Sequence, residues 1–362
     1  MKKIKILIVE DSAFMRKLIT DFLSEDNRIE VLGTARNGED AITKIKKLNP
    51  DVVTMDVEMP IMNGIEALKR IMEECPTPVI MLSSTTAKGA ENTLIAMQYG
   101  AFDFITKPSG AISLDLHKIK EELIQKVLQA SEANLSRLQK NAFSPKTSLS
   151  ETKDYSRIEL KKFTTYKNSW IPTGKKVVCI GTSTGGPRAL QHVLTNLPKE
   201  LNAPIFIVQH MPPGFTKSLA TRLDSLSQIK VKEAEDGEIV QNGTAYIAPG
   251  GFHLKVRKIG NSLAVQLDNS AQRNGHRPSV DVMFESISLL SDYSAISVVM
   301  TGMGSDGSQG LIELKKNLNV KSIAESQESS IVFGMPKAAI ATNLVDEIEH
   351  VESIADCIVK YC

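Results

Sequence analysis

Glu10 and Asp11 follow the apolar run IKILIV, and Asp56 closes the run VVTMD. If both runs are buried parallel strands, the three carboxylates meet at one sheet edge, because open α/β sheets form their sites beyond the carboxyl ends of the strands. Carboxylates held together raise one another's pKa unless a cation lies between them. A small, all-oxygen ligand set suits Mg2+. Ser83 ends the run VIMLS in the same layer, and Lys107, just before Pro108, ends another and brings an ammonium. One chemistry uses all of them. Asp56 attacks a phosphoryl group and becomes an aspartyl phosphate, Mg2+ neutralises charge, and Lys107 and the Ser83 hydroxyl contact the phosphoryl oxygens. Any one of these acids alone would pass as a surface loop residue. The set ED, D-x-x-M-P-x-x-x-G, S-S and K-P at these spacings does not.

The second half offers a nucleophile. Ser183 follows the run VVCIG in GTSTGGP and satisfies G-x-S-x-G. A serine on a tight strand-to-helix turn is exposed at the sheet edge, beside free helix N–H groups that suit an oxyanion. A phosphate cradle is the competing use of such a loop, but no Lys follows the glycines and G-x-G-x-x-G is absent. A serine nucleophile needs a base, and His210 ends the run IFIVQ one strand-helix unit later. His253 in APGGFH and His276 in NGHRPS could line a cleft as binding residues. The acid that orients the imidazole is expected at Asp306 in GMGSDG, with Asp281 and Asp236 as competitors. The order Ser, His, Asp differs from the Ser, Asp, His order of α/β-hydrolases, so the G-x-S-x-G match does not place the chain in that fold.

These residues need strands and helices to position them, and the pattern supplies both. Up to residue 125, the apolar runs Ile4–Val9, Ile29–Thr34, Val52–Asp56, Val79–Ser83 and Phe102–Thr106 predict strands. They alternate with helix-period stretches at Ala13–Leu23, Gly38–Leu48, Gly64–Glu74 and Gly89–Tyr99. That alternation predicts a parallel sheet covered on both faces. A last helix is expected to run to about residue 130 or beyond. From Val177 a second α/β pattern begins, with strands expected at Val177–Gly181, Ile205–Gln209, Ala245–Ala248, Leu263–Leu267, Ile296–Thr301 and Ile323–Ala324.

Between the halves, Ser131 to Lys176 carries 10 Lys or Arg against 4 Asp or Glu, an excess of +6, with little periodicity. It reads as a flexible basic linker. The chain divides accordingly into residues 1–130, a linker over 131–174, and residues 175–362, and 362 residues suffice for two cores. The net charge of +1 gives no general reason to bind nucleic acid or an anionic membrane. No apolar run reaches the roughly 20 residues of a spanning helix. Cys75, Cys179, Cys357 and Cys362 form neither a metal spacing nor a disulfide framework, which fits a reduced, cytoplasmic protein.

Residues 1–125 resemble the receiver domain of two-component response regulators, on the pieces LIVEDS, DVVTMDVEMPIMNGIEAL, PVIMLSS and GAFDFITKP. The resemblance implies a flavodoxin-like five-stranded parallel sheet, Asp56 as phosphoacceptor, Mg2+ held by Glu10, Asp11 and Asp56, and a histidine kinase as phosphodonor. Phe104 stands at the aromatic switch position, where many receivers have Tyr. Residues 177–345 resemble the catalytic domain of the chemotaxis protein-glutamate methylesterases (CheB), on GTSTGGP, VQHMPPGFT, YIAPGGFH, NGHRPSVDVMF, MTGMGSDG and AESQESSIVFGMPKAAI. It implies a doubly wound, mostly parallel α/β domain with Ser183 as nucleophile, His210 as base and Asp306 as orienter. It further implies an oxyanion site at the backbone N–H groups of Thr184 and Met303, and no cofactor in the esterase half. The implied substrates are glutamate methyl esters on the cytoplasmic helices of chemoreceptors, with some glutamines deamidated. Taken together, the two resemblances describe a phosphorylation-activated, monomeric esterase of chemotactic adaptation.

Other readings predict other features. A nucleic-acid-binding output domain would show a basic helix-turn-helix pattern after the linker, where this chain shows α/β alternation. A scaffold that only binds receptors would lack a triad member. A different ester or amide substrate for the same triad leaves no mark on the sequence.

Overall fold

The computed structural model describes residues 3–107, 113–133 and 174–362. Residues 134–173 of the expected basic linker lie outside the described residues, as does Pro108. The first domain runs β1 (Ile4–Val9), α1 (Ala13–Ser24), β2 (Ile29–Ala35), α2 (Gly38–Leu48), β3 (Val52–Asp56), α3 (Gly64–Glu74), β4 (Val79–Ser83), α4 (Ala87–Gln98), β5 (Asp103–Thr106) and α5 (Ser113–Ser131). All five strands are parallel, in the order β2-β1-β3-β4-β5. β3 and β4 are buried along their whole length, which is why they read as continuous apolar runs rather than alternating ones. The helices start where polar side chains cap them: Ser12, Asn37, Asn63 and Thr86 each accept a hydrogen bond from the backbone N–H three residues on. The Thr86 cap explains why α4 begins two residues before the expected Gly89.

The second domain runs β6 (Lys175–Thr182), α6 (Gly186–Leu194), β7 (Ile205–Gln209), α7 (Phe215–Asp224), β8 (Lys230–Glu233), β9 (Thr244–Ile247), β10 (His253–Ile259) and β11 (Ser262–Asp268). It continues with α8 (Val280–Ile287), β12 (Tyr293–Val299), α9 (Ser308–Asn317), β13 (Asn319–Glu325), α10 (Met335–Ala341), β14 (Glu347–Glu349) and α11 (Val351–Tyr361). Its main sheet has the order β14-β13-β12-β6-β7-β9-β8 and is parallel throughout. β6 lies between β12 and β7, so the chain winds away from it in both directions. Loops after β6, β7 and β12 therefore open a crevice at the carboxyl edge, where doubly wound sheets bind ligands.

Two expectations change. Leu263–Leu267 is a strand, but it belongs to a separate antiparallel hairpin with β10 and not to the main sheet. β8, β10 and β14 did not stand out as apolar runs. β8 (KVKE) and β14 (EIE) are short edge strands whose charged residues suit an exposed sheet border.

The two domains touch through α4, which packs on α6 and α7. Phe104 of β5 stacks on Phe215 of α7 with ring centroids 4.8 Å apart and planes 11° from parallel. Leu94 and Met97 of α4 face Leu219 and Leu223 of α7 across the same seam. Phe104 is thus buried against the neighbouring domain.

Candidate active site and phosphoacceptor site

Ser183 is placed by the turn between β6 and α6. Its N–H donates to the Thr301 carbonyl (3.0 Å), and its own carbonyl accepts from Gly186 N–H (2.7 Å). Gly185 has φ +79°, a left-handed conformation that glycine adopts without strain. Gly186 allows close approach: a Cβ there would lie 1.8 Å from Gln209 Oε1. Gln209, buried at the end of β7, clamps the two strand ends. Its Oε1 accepts from Thr182 Oγ1 (2.7 Å), and its Nε2 donates to the carbonyls of Ser183 (3.0 Å) and His210 (3.2 Å). Pro187 in the first turn of α6 starts that helix with its φ preset.

His210 stands one residue past β7, and its N–H donates to the Thr182 carbonyl (3.2 Å), so it and Ser183 leave adjacent strand ends in register. Its Nε2 lies 2.8 Å from Asp306 Oδ2, with the two side chains 6 % and 2 % exposed. The other ring nitrogen, Nδ1, is buried and has no hydrogen-bond partner among the described residues. With Nε2 committed to the carboxylate, Nδ1 is the atom left to take a proton.

Asp306 is held by the start of α8. Ser279 Oγ donates to Oδ1 (2.8 Å), Asp281 N–H to Oδ1 (3.0 Å) and Val280 N–H to Oδ2 (2.7 Å). Burial alone would favour its neutral form, but the His210 hydrogen bond and these amides hold its carboxyl well below the usual carboxylate range. Asp281, expected as a competitor for the orienting role, lies behind the site. Its Oδ1 accepts from Gly307 N–H (2.8 Å) and Gly310 N–H (2.7 Å), fixing the loop that carries Asp306. Asp236 instead accepts from Leu267 N–H beside the hairpin.

The 302–304 loop passes directly over the serine: a Cβ on Gly302 would sit 2.8 Å from Ser183 Cβ. Thr184 and Met303 thus flank Ser183. His253, expected at the cleft, is fully buried and its Nε2 lies 3.1 Å from the Ala271 carbonyl, so it fixes the hairpin's base. His276 does reach the site and stacks on His210.

Comparisons with known proteins give the family of each half of the chain. The family model "CheB methylesterase" matches residues 178–358, and "Response regulator receiver domain" matches residues 6–118. A protein-glutamate methylesterase/protein-glutamine glutaminase of Geobacillus kaustophilus is 57 % identical over 99 % of this chain and 99 % of its own length. The chain belongs to the CheB methylesterase family. It is an enzyme, a methylesterase carrying a receiver domain. A protein of the same name from Bacillus subtilis is 54 % identical, covering 97 % of this chain and 96 % of its own. The crystal structure of the Thermotoga maritima CheB methylesterase catalytic domain is 45 % identical, with TM-score 0.50, covering 52 % of this chain and all of that one. The residues matched by the methylesterase model lie in the second domain.

The CheB receiver domain brings its acids together as expected. Glu10, Asp11 and Asp56 each offer an oxygen within 4.8 Å of the others. Lys107 Nζ lies 2.9 Å from Glu10 Oε2 and 2.8 Å from Asp56 Oδ2. Burial and then the Asp56 charge push Glu10 up to about 7, and burial also raises Asp56. Three converging carboxylates with one ammonium are short of positive charge, and this donor set fits Mg2+. Ser83 is differently placed from the expectation. Its hydroxyl donates to the Gly89 carbonyl (3.0 Å) at the start of α4 and makes no hydrogen bond to Asp56. A phosphoryl contact would require that bond to break.

The receiver of this CheB-family enzyme also touches the esterase crevice. Thr184 Oγ1 donates to Asp103 Oδ2 (2.7 Å), and the Gln129 amide reaches the Met303 thioether. Both residues flanking Ser183 are thus contacted by the other domain. Sequence reasoning missed Gln209, Ser279, Asp103 and Gln129. Gln209 carried the one available signal, a polar residue closing an apolar run. No helix of the described residues is long and apolar enough to cross a membrane.

Proposed function

We propose that this chain hydrolyses glutamate methyl esters on chemoreceptors, and deamidates receptor glutamines, through Ser183, His210 and Asp306. The observation that carries this reading is the buried 2.8 Å contact between His210 Nε2 and Asp306 Oδ2 beside the serine turn. His210 Nδ1 takes the Ser183 proton as Oγ attacks the ester carbonyl. The tetrahedral oxyanion lies against the N–H groups of Thr184 and Met303. His210 then protonates the departing methoxide, and methanol leaves. Water, deprotonated by the same imidazole, attacks the acyl-enzyme and releases glutamate and free serine. Asp306 holds the ring by Nε2 and stabilises its cationic form. Release of methanol from methylated receptor, compared between wild type and Ser183→Ala, tests the assignment. A Ser183→Ala protein with wild-type rate sinks it.

The receiver (1–130) acts as a lid, tethered by the basic linker 131–174 to the esterase domain 175–362. Glu10, Asp11 and Asp56 would hold Mg2+, which supplies charge neutralisation for phosphoryl transfer to Asp56 from a histidine kinase. Lys107 pairs with Asp56 and is placed to contact the phosphoryl oxygens once Ser83 and α4 rearrange. The Asp103–Thr184 bond and the Phe104–Phe215 stack support a docked state that shields Ser183. Phosphorylation favours the undocked state by altering the β4–α4 end of the receiver, which forms the seam. This output serves chemotactic adaptation.

A further inference from the structure

His276 belongs to none of the roles above, yet its ring lies face to face with the base. The two imidazole centroids are 3.9 Å apart and the planes differ by 13°. The backbone presents His276 rigidly. Arg273 and His276 exchange both backbone hydrogen bonds, Arg273 N–H to the His276 carbonyl (3.0 Å) and His276 N–H to the Arg273 carbonyl (2.9 Å). The two residues between them, Asn274 (φ +53°) and Gly275 (φ +80°), both lie in the left-handed region, as a tight two-residue hairpin turn requires. Asn274 Nδ2 then donates to Asp281 Oδ2 (3.1 Å). Asp281 already fixes the Asp306 loop through Gly307 and Gly310. The turn carrying His276 and the acid that orients His210 are therefore anchored to the same carboxylate.

We infer that His276 is a positioning residue for His210: its stacked ring fixes the plane of the base and offers a π face to the positive charge the base acquires. The inference rests on the Ser183–His210–Asp306 reading. An imidazole held on one edge only, by Asp306, can still pivot about that contact. A parallel ring 3.9 Å away removes the pivot. The π face attracts a cation only while His276 itself is neutral. Burial, and then the neighbouring His210, push His276 down to about 4 and prevail over Asp306, a hydrogen bond to the Asn274 backbone and the receiver's Glu122, which pull in the other direction.

The test compares full-length wild type, Ser183→Ala, His276→Ala and His276→Phe for methanol release from methylated receptor between pH 4 and pH 8. Ser183→Ala is expected to abolish the reaction; if it does not, the triad reading fails and the stack is beside the point. With Ser183→Ala inactive, His276→Ala is expected to lower kcat about tenfold with KM within about twofold, as misorientation of a base should. His276→Phe, which keeps a flat face, should recover kcat to within about threefold of wild type. Below about pH 5 the wild type should lose rate more steeply than His276→Phe, because only the wild type gains a second charge against the base. A His276→Ala kcat equal to wild type, a Phe variant no better than the Ala variant, or identical acid limbs would each overturn the inference.

Discussion

Thr184 Oγ1 and Asp103 Oδ2 lie 2.7 Å apart, joining the residue after Ser183 to the first residue of the receiver's last strand. Both side chains are buried, so the bond is made out of water's reach. A buried hydrogen bond to a charged acceptor contributes about 1.5–3 kcal/mol net. Asp103→Ala should therefore weaken docking. Without phosphodonor, its esterase rate should rise by about tenfold or more, up to the rate of the undocked enzyme, while the rate of fully phosphorylated enzyme stays near wild type. Initial rates with and without a small phosphodonor check this, and an unchanged basal rate argues against the lid.

Asp306 accepts four hydrogen bonds, so its replacement has two effects. Asp306→Asn leaves the ring geometry but turns an amide towards donors and favours the wrong tautomer of His210. A drop of about 10³–10⁴ in kcat is expected, with about 1–3 kcal/mol lost from the domain's stability. Steady-state rates and thermal unfolding measured on the same protein separate the two.

The receiver's stability should fall as pH rises. Glu10 is raised from 4.5 to about 7, so the folded state binds more protons than the unfolded chain between those values. The unfavourable contribution is absent below about pH 4, grows through that window and reaches up to about 3 kcal/mol above pH 7. Mg2+ should offset it by binding the folded form alone. The rise in melting temperature on adding Mg2+ should then be larger at pH 8 than at pH 5. Glu10→Gln should flatten the pH dependence measured without metal.

Gly186→Ala should disable the esterase without touching a reacting atom. The added Cβ meets Gln209 Oε1 at 1.8 Å and Thr182 Cβ at 2.9 Å. Gln209 cannot yield without releasing hydrogen bonds to Thr182, Ser183 and His210. A loss of about 1–3 kcal/mol is expected, with an esterase rate falling at least about tenfold as Ser183 shifts. Receiver phosphorylation, followed by phosphate incorporation, should be unaffected.

Much of the molecule was legible beforehand because the chemistry sits where secondary structure ends. Strand runs such as VVTMD, VVCIG and IFIVQ mark their own carboxyl edges, and Asp56, Ser183 and His210 stand at or just past those edges. The helix-period stretches expected from Gly38 and Gly64 begin at those residues in the structure, each just after an Asn cap. What failed were elements without a strong apolar signal. β8 and β14 are polar edge strands. β11 carries an ordinary strand pattern, and periodicity says nothing about which sheet a strand joins. His253 and His276 looked equivalent in sequence, each in a glycine turn, and only packing separates a buried hairpin residue from a ring stacked on His210.

The sequence by itself determined two α/β domains, their parallel sheets and the residue types at each carboxyl edge, because burial writes its period locally along the chain. The tertiary structure alone decided that Asp306 takes His210 by Nε2, that Asp281 braces rather than orients, that Ser83 faces Gly89, and that Asp103 reaches Thr184. Those are contacts between segments far apart in sequence. They depend on strand order and on side-chain direction across loops, and neither leaves a periodic trace in the order of the amino acids.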